Sequence, residues 1–231
     1  MAEQPGKALV IVAHPDDAEF VCGGTIARWC HEGWDVAYVL ATSGDMGSHD
    51  VQMTRDQLAL IRQREQRLAA KVLGVSECVF LGYPDGFVED TYEFRGRLVR
   101  EVRRLRPDVV VTWDPFRNSF NHRDHRLTGQ AALDAVYPLA RSHLAYPEHL
   151  EEGLEPHRVT EVLLAATDRA NHYVDVSDFF PKRMQALRRH RSQVGRYPAR
   201  ELRKRVRERL AEIGKEAGYP LAEAFHRIQW R

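Results

Sequence analysis

The chain has 231 residues, of which 43% are hydrophobic and 29% charged, with a formal net charge of +1. At roughly 150 residues per domain this predicts one domain over 1–231, large enough to bury a sizeable core. The balanced composition excludes a disordered chain and a globally basic nucleic-acid binder, and no apolar run approaches the roughly 20 residues of a bilayer span.

Met1 to Lys7 lacks the basic region, long apolar stretch and small-residue cleavage site of a signal peptide. Lys7 to Ala13 (KALVIVA) is a continuous apolar run, which suits a strand buried on both faces of a parallel sheet. It ends in His14-Pro15-Asp16-Asp17, and Gly23-Gly24-Thr25 then leads into a helix over 26–30 that stops near Gly33. Asp35 to Ala41 predicts a second strand, and Thr42 to Met53 a polar, glycine-bearing loop. A helix is predicted over 55–73, with apolar Leu58, Ile61, Leu68, Ala69 and Val72, ended by Gly74. A short strand over 77–81 and the turn Gly82-Tyr83-Pro84-Asp85-Gly86 follow. Next come a helix over 94–104 and a buried strand over 108–112. A loop over 113–124 leads into a helix over 125–136. The polar stretch 147–156 reads as a surface excursion. Strands over 159–165 and 174–176 and helices over 179–191 and 201–217 complete the pattern. Alternating strands and helices imply βαβ units: a three-layer, Rossmann-like α/β fold with a mostly parallel sheet and helices on both faces.

In such sheets ligands collect at the carboxyl ends of the strands. Two polar clusters fall there: His14-Pro15-Asp16-Asp17 after the first strand, and His122-Arg123-Asp124-His125 after the strand over 108–112. A catalytic zinc takes three nitrogen or oxygen ligands and keeps one open position. His14, Asp17 and His125 would supply a His₂–Asp set, leaving Asp16 free to take a proton. Taken singly, each cluster also has a plain structural reading: a surface turn for the first, a helix start for the second, with Asp124 as a helix cap.

The stretch Ala13-His14-Pro15-Asp16-Asp17-Ala18-Glu19-Phe20, with Cys22-Gly23-Gly24-Thr25, resembles the signature of the PIG-L/LmbE-like zinc-dependent N-deacetylases. Further likenesses run in the family's order. They are Arg62-Gln63-Arg64-Glu65 into Val72-Leu73-Gly74-Val75, Leu81 to Gly86, Arg106 to Thr112, His122 to His125, Tyr173 to Ser177, and His190-Arg191-Ser192-Gln193. The resemblance implies His14, Asp17 and His125 as metal ligands, with one zinc per chain, and Asp16 as general base. It also implies His122 as the residue that stabilises the oxyanion or protonates the leaving amine. Arg62 and Asp85 match pocket-lining positions and are assigned supporting or substrate roles. Two departures stand out: Arg123, where a proline is commoner, and Ala18-Glu19, where many members place the glutamate directly after the two aspartates. They touch no implied ligand and suggest a subgroup with its own substrate.

The implied activity is removal of an acetyl group from an N-acetylglucosamine-type conjugate. The alternatives are an N-deacylase of a natural-product glycoside or other small N-acyl compound, and a non-catalytic metal- or sugar-binding module. A His₂–Asp site also accepts iron, cobalt or manganese. The loop over 44–52 leaves the second strand at its carboxyl end, so Asp45, Met46 and His49 are candidate substrate contacts. The basic helix over 201–215 carries interspersed glutamates and reads as a solvated helix rather than a membrane or nucleic-acid surface. Gly23-Gly24 reads as close backbone packing, and Trp29, Trp34 and Trp113 as core or pocket wall. His31, His143, His149, His157, His172 and His226 are taken as surface or capping residues. An odd set of three cysteines, Cys22, Cys30 and Cys78, without a C-x-x-C fits a cytoplasmic protein. Family members often form homo-oligomers, so the expected partners are a small N-acetylated molecule and further copies of the chain. Neither nucleic acid nor a stable membrane contact is expected.

Overall fold

A computed structural model describes residues 5–119 and 121–230. Met1 to Gln4 of the N-terminal reading, Phe120 of the predicted loop and Arg231 lie outside the described residues. In a seven-stranded sheet, β1 (Lys7–Val12) lies third, with β2 (Asp35–Thr42) and β3 (Glu77–Tyr83) to one side, and β4 (Val109–Trp113) and β5 (Glu161–Ala165) to the other. These five strands are mutually parallel. Beyond β5 lie β6 (His172–Asp175) at the edge and, between them, β7 (Ala222–Gln229), antiparallel to both.

Both faces of β1 are covered, as its unbroken apolar run demands. Ala8, Val10 and Val12 pack on one face, and Leu9 and Ile11 on the other. The first face is covered by α2 (Gly23–His31), α3 (Arg55–Leu73), α7 (Phe180–Leu187) and α9 (Ala199–Ala217), and the second by α4 (Tyr92–Leu105) and α5 (Arg123–Val136). Three short helices complete the order: α1 (Asp17–Val21), α6 (Glu148–Glu151) in the 147–156 excursion, and α8 (Arg191–Val194).

Three sequence expectations are corrected. First, α5 begins at Arg123, not at 125, so His122 is its N-cap and its imidazole accepts the Asp124 N–H at 3.1 Å. Second, the predicted 179–191 helix breaks into α7 and α8 at His190, whose ring is turned into the interior. Third, β7 has no counterpart in the sequence reading. Its AEAFHRIQ mixes charge with apolar residues because Glu223 is buried for a purpose. The Glu223 carboxylate accepts from Gly24 N at 2.8 Å, Thr25 N at 2.7 Å and Thr25 Oγ1 at 2.6 Å, and pairs with Arg183 at 3.0 Å. It thereby satisfies the orphan amides of the first turn of α2. A Cβ on Gly24 would lie 2.7 Å from Val176 and 3.0 Å from Glu223, so the expected close packing at Gly23-Gly24 is present.

The apolar positions Leu202, Val206 and Leu210 of α9 face the core, while Arg205–Glu201, Lys204–Glu208 and Lys215–Glu212 pair outside. Among the described residues no helix is long and apolar enough to cross a membrane.

Candidate active site

Strand order reverses between β1 and β4, because the chain leaves β1 towards β2 and β3 and returns to β4 on the opposite side. The carboxyl ends of these two strands therefore flank a crevice, where open α/β sheets bind ligands. His14 lies two residues past β1, and the loop after β4 leads to His122, the N-cap of α5, and His125 in its first turn. Hydrophobic pairing of two central strands thus brings together residues more than 100 positions apart.

Three donor atoms converge. His14 Nδ1 lies 3.2 Å from His125 Nε2, His125 Nε2 lies 3.2 Å from Asp17 Oδ1, and His14 Nδ1 lies 3.5 Å from Asp17 Oδ2. A tetrahedral zinc with bonds of about 2.0–2.1 Å has ligand–ligand edges of about 3.3 Å, so the spacing fits a metal ion. His122 also joins His14 and His125 as a group able to hold a metal. Its ring centroid is 4.9 Å from that of His14 and 5.1 Å from that of His125.

Each converging donor is held from behind. Asp17 Oδ2 accepts from Ala13 N at 3.1 Å, His14 N at 2.8 Å and Trp113 Nε1 at 3.1 Å, which turns Oδ1 towards the imidazoles. Trp113 also stacks on His125, with ring centroids 3.8 Å apart and an interplanar angle of 8°. It is a wall of the site, as expected, but one with a directed hydrogen bond. On the far side of His14, Nε2 meets Asp85 Oδ1 at 3.1 Å and Asp124 Oδ2 at 3.2 Å, the carboxylate–histidine arrangement that fixes a ligand's tautomer. Asp124 is not the helix cap of the sequence reading, a place taken by His122: it is fully buried and also accepts from Gly86 N and Val88 N.

The protonation states follow from this packing. Burial by itself lowers His14, but its hydrogen bonds to Asp124 and Asp17 outweigh that and hold it well above the usual imidazole range. Burial by itself raises Asp17, and the His125 charge and hydrogen bond reverse this and hold it well below the usual carboxylate range. Asp85 is likewise opposed by burial, yet its hydrogen bond to His14 brings it down to about 2. A site so rich in carboxylates demands positive charge. Asp16 behaves differently: burial pushes it up to about 6, against the pull of Arg62. His122 is lowered, by burial first and then by His14 and His125. It is therefore a neutral imidazole, and since Nδ1 accepts from Asp124 N, the proton sits on Nε2.

Asp16 sits at φ 94°, ψ −24°, a left-handed conformation that costs a non-glycine residue on the order of 1–3 kcal/mol and points to a functional constraint. Arg62 is buried beneath this turn and reaches Pro15 O at 2.5 Å, Gly44 O at 2.9 Å and Asp16 Oδ2 at 3.5 Å. Its guanidinium braces the turn and the 44–52 loop, as the supporting alternative of its two expected roles would have it. Asp85 is also buried: it accepts from Met46 N at 3.0 Å and, from its own backbone N, donates to Asp45 Oδ1 at 3.0 Å. Asp45 Oδ2 accepts from Arg55 at 2.6 Å, so Asp45 and Asp85 tie the loop to the site. Met46 is half exposed, its sulfur beside Gly86, and His49 is exposed.

A cavity of about 730 Å³ lies elsewhere, among α9, β6 and β7, and is lined by none of the candidate ligands. The partners that spacing did not reveal are Trp113, Asp124, Gln66, Glu19 and His190. Glu19, Asp124 and His190 lay inside the family-like motifs, whereas Trp113 meets Asp17 across 96 positions and nothing local marks it. His149, expected at the surface, is buried against Tyr146.

The fold and this cluster define a three-layer α/β protein whose His–Asp crevice fits a metal. Residues 9–136 match the family described as PIG-L: GlcNAc-PI de-N-acetylase. The chain is 35% identical over 187 residues to a diacetylchitobiose deacetylase of Thermococcus kodakarensis, covering 81% of this chain and 70% of that one. It is 30% identical to a 1D-myo-inositol 2-acetamido-2-deoxy-alpha-D-glucopyranoside deacetylase of Mycobacteroides abscessus, covering 81% of each. The structure of N,N'-diacetylchitobiose deacetylase from Pyrococcus horikoshii in complex with its inhibitor superposes with a TM-score of 0.92 at 31% identity, covering 97% of this chain and 84% of that one. The chain belongs to the PIG-L family, as its motifs suggested, and is an amide hydrolase of the deacetylase type.

Proposed function

We propose that this protein removes the acetyl group from an N-acetylglucosamine-type conjugate, with zinc held by His14, Asp17 and His125. The observation that carries the reading is the convergence of His14 Nδ1, His125 Nε2 and the Asp17 carboxylate, with Asp16 on the strained turn between His14 and Asp17. When bound, the metal supplies Lewis-acid chemistry: it lowers the pKa of a water towards neutrality and polarises an amide carbonyl.

The chain's own residues do the rest. Asp16, ionised at neutral pH, accepts a proton from the attacking water. The amide carbon becomes tetrahedral, and its oxygen takes up the negative charge. His122 offers Nε2–H to that oxygen as a preorganised neutral donor. Asp16 then returns its proton to the nitrogen, the C–N bond breaks, and acetate and the free amine leave. Asp85 and Asp124 hold His14, and Arg62 and Asp45 hold the turn and loop that border the substrate. Met46 and His49, both exposed, are the loop candidates left to touch substrate. The reading treats 1–231 as one domain acting in the cytoplasm as a homo-oligomer.

Acetate release from N-acetylglucosamine conjugates tests this reading, with N-acyl amines lacking the sugar as comparison. Acetate from the conjugates supports it. Release only from the other N-acyl compounds would move the substrate class, and binding without release would mark a non-catalytic module.

A further inference from the structure

A second polar cluster lies beneath the candidate site, wholly inside the protein. Glu19, Gln66 and His190 are each fully buried. Glu19 accepts from Gln66 Nε2 at 3.0 Å (Oε1) and 3.2 Å (Oε2), from Tyr38 OH at 3.3 Å, and meets His190 Nε2 at 3.0 Å. An amide group has one donor side and one acceptor side, and a carboxylate only accepts. Glu19 therefore dictates which way the Gln66 amide points: its NH₂ must face Glu19, so its oxygen faces Asp16. That oxygen accepts the Asp16 backbone N–H at 2.9 Å. Asp16 is the residue in the left-handed conformation. The break between α7 and α8 places His190 against Glu19, which gives that break a purpose.

We propose that Gln66 is a positioning residue for Asp16, its amide oriented by Glu19 and His190 so that it clamps the strained turn that aims the Asp16 carboxylate. Gln66 touches no reacting atom and acts through Asp16 alone. The inference rests on the reading of Asp16 as the base of a deacetylase. Arg62 holds the same turn through the Pro15 carbonyl, so the turn is gripped at two successive residues, one by its carbonyl and one by its N–H.

The test is a double-mutant cycle of Gln66→Met with Asp16→Asn, reading kcat and KM for acetate release, metal content and thermal stability. Misplacement of a reacting group by about 1 Å costs on the order of 10²-fold. Gln66→Met is therefore expected to lower kcat by about 10–100-fold, with KM within about twofold and metal content unchanged. In the Asp16→Asn background it should cost less than about twofold more, because there is no base left to misplace. A merely structural role would cost the same in both backgrounds. Gln66→Glu is the second variant should Gln66→Met not fold. It keeps side-chain volume and an oxygen for Asp16 N–H but turns a carboxyl towards Glu19, and its kcat loss should likewise vanish in the Asp16→Asn background. A full loss persisting in that background, or an unchanged kcat, overturns the inference while the deacetylase reading stands. Absence of acetate from the wild type overturns that reading, and the inference with it.

Discussion

Trp113→Phe isolates one hydrogen bond to a proposed metal ligand. Asp17 Oδ2 accepts three N–H donors, at 3.1 Å from Ala13, 2.8 Å from His14 and 3.1 Å from Trp113. The two backbone donors survive any side-chain change, and the indole does not. Phenylalanine keeps a ring to stack on His125, so that the 3.8 Å contact is largely retained. A hydrogen bond to a charged group contributes about 1.5–3 kcal/mol. Partners of metal ligands are worth about 10–100-fold in metal affinity, or about 1.4–2.7 kcal/mol at 1.36 kcal/mol per decade. The two ranges agree, and we expect the metal dissociation constant to rise by about 10–100-fold. Chelator competition on wild type and variant reads this directly, and kcat at saturating metal should stay within about threefold because Asp16 and His122 are untouched. An unchanged dissociation constant would refute the assignment of Asp17 as a ligand oriented by Trp113. A collapse of kcat at full metal occupancy would refute the separation of binding from chemistry.

Asp16→Asn should lower kcat by about 10²-fold or more with metal retained, and wild-type turnover in the loaded variant would remove Asp16 from its role. The wild-type pH profile should carry an acid limb at about pH 6 or below: burial raises the Asp16 carboxyl to about 6, a bound cation can only lower it, and activity falls as pH drops through that value. A limb centred above pH 7 would contradict it. Gly44→Ala should destabilise the protein by more than about 1 kcal/mol, since Gly44 sits at φ +66° and a Cβ there would lie 2.4 Å from the Arg62 guanidinium carbon. Thermal unfolding checks this, and an unchanged midpoint would mean that the loop is free to move off Arg62.

The sequence made the parallel half of the sheet legible because its strands are buried on both faces. KALVIVA and DVVVT admit little else, and the polar residues that end them had to fall at the crevice. The clusters around His14 and His122 were placed at the crevice for the same reason, and the structure brings His14, Asp17, His122 and His125 together, with Asp16 on the turn between the first two. β7 was not, because its composition answers to Glu223 capping α2 across 199 residues, a demand that no local window contains. The break at His190 was hidden in a helical pattern for a similar reason: its buried partner Glu19 lies 171 residues away. Arg62 and Asp85 were found, but their depth was not. Spacing marks a residue as near a site, whereas its burial and its hydrogen bonds to other elements are set by the whole fold.

The central claim is that two clusters over 100 residues apart meet to hold one metal that hydrolyses an amide. Metal analysis of the purified protein, wild type beside His125→Ala and joined to acetate release, tests it most directly. The account predicts about one zinc per chain in the wild type and acetate from an N-acetylglucosamine conjugate, with both lost in the variant. Full metal occupancy in His125→Ala, or a wild type that takes up no metal when zinc is supplied, would contradict it.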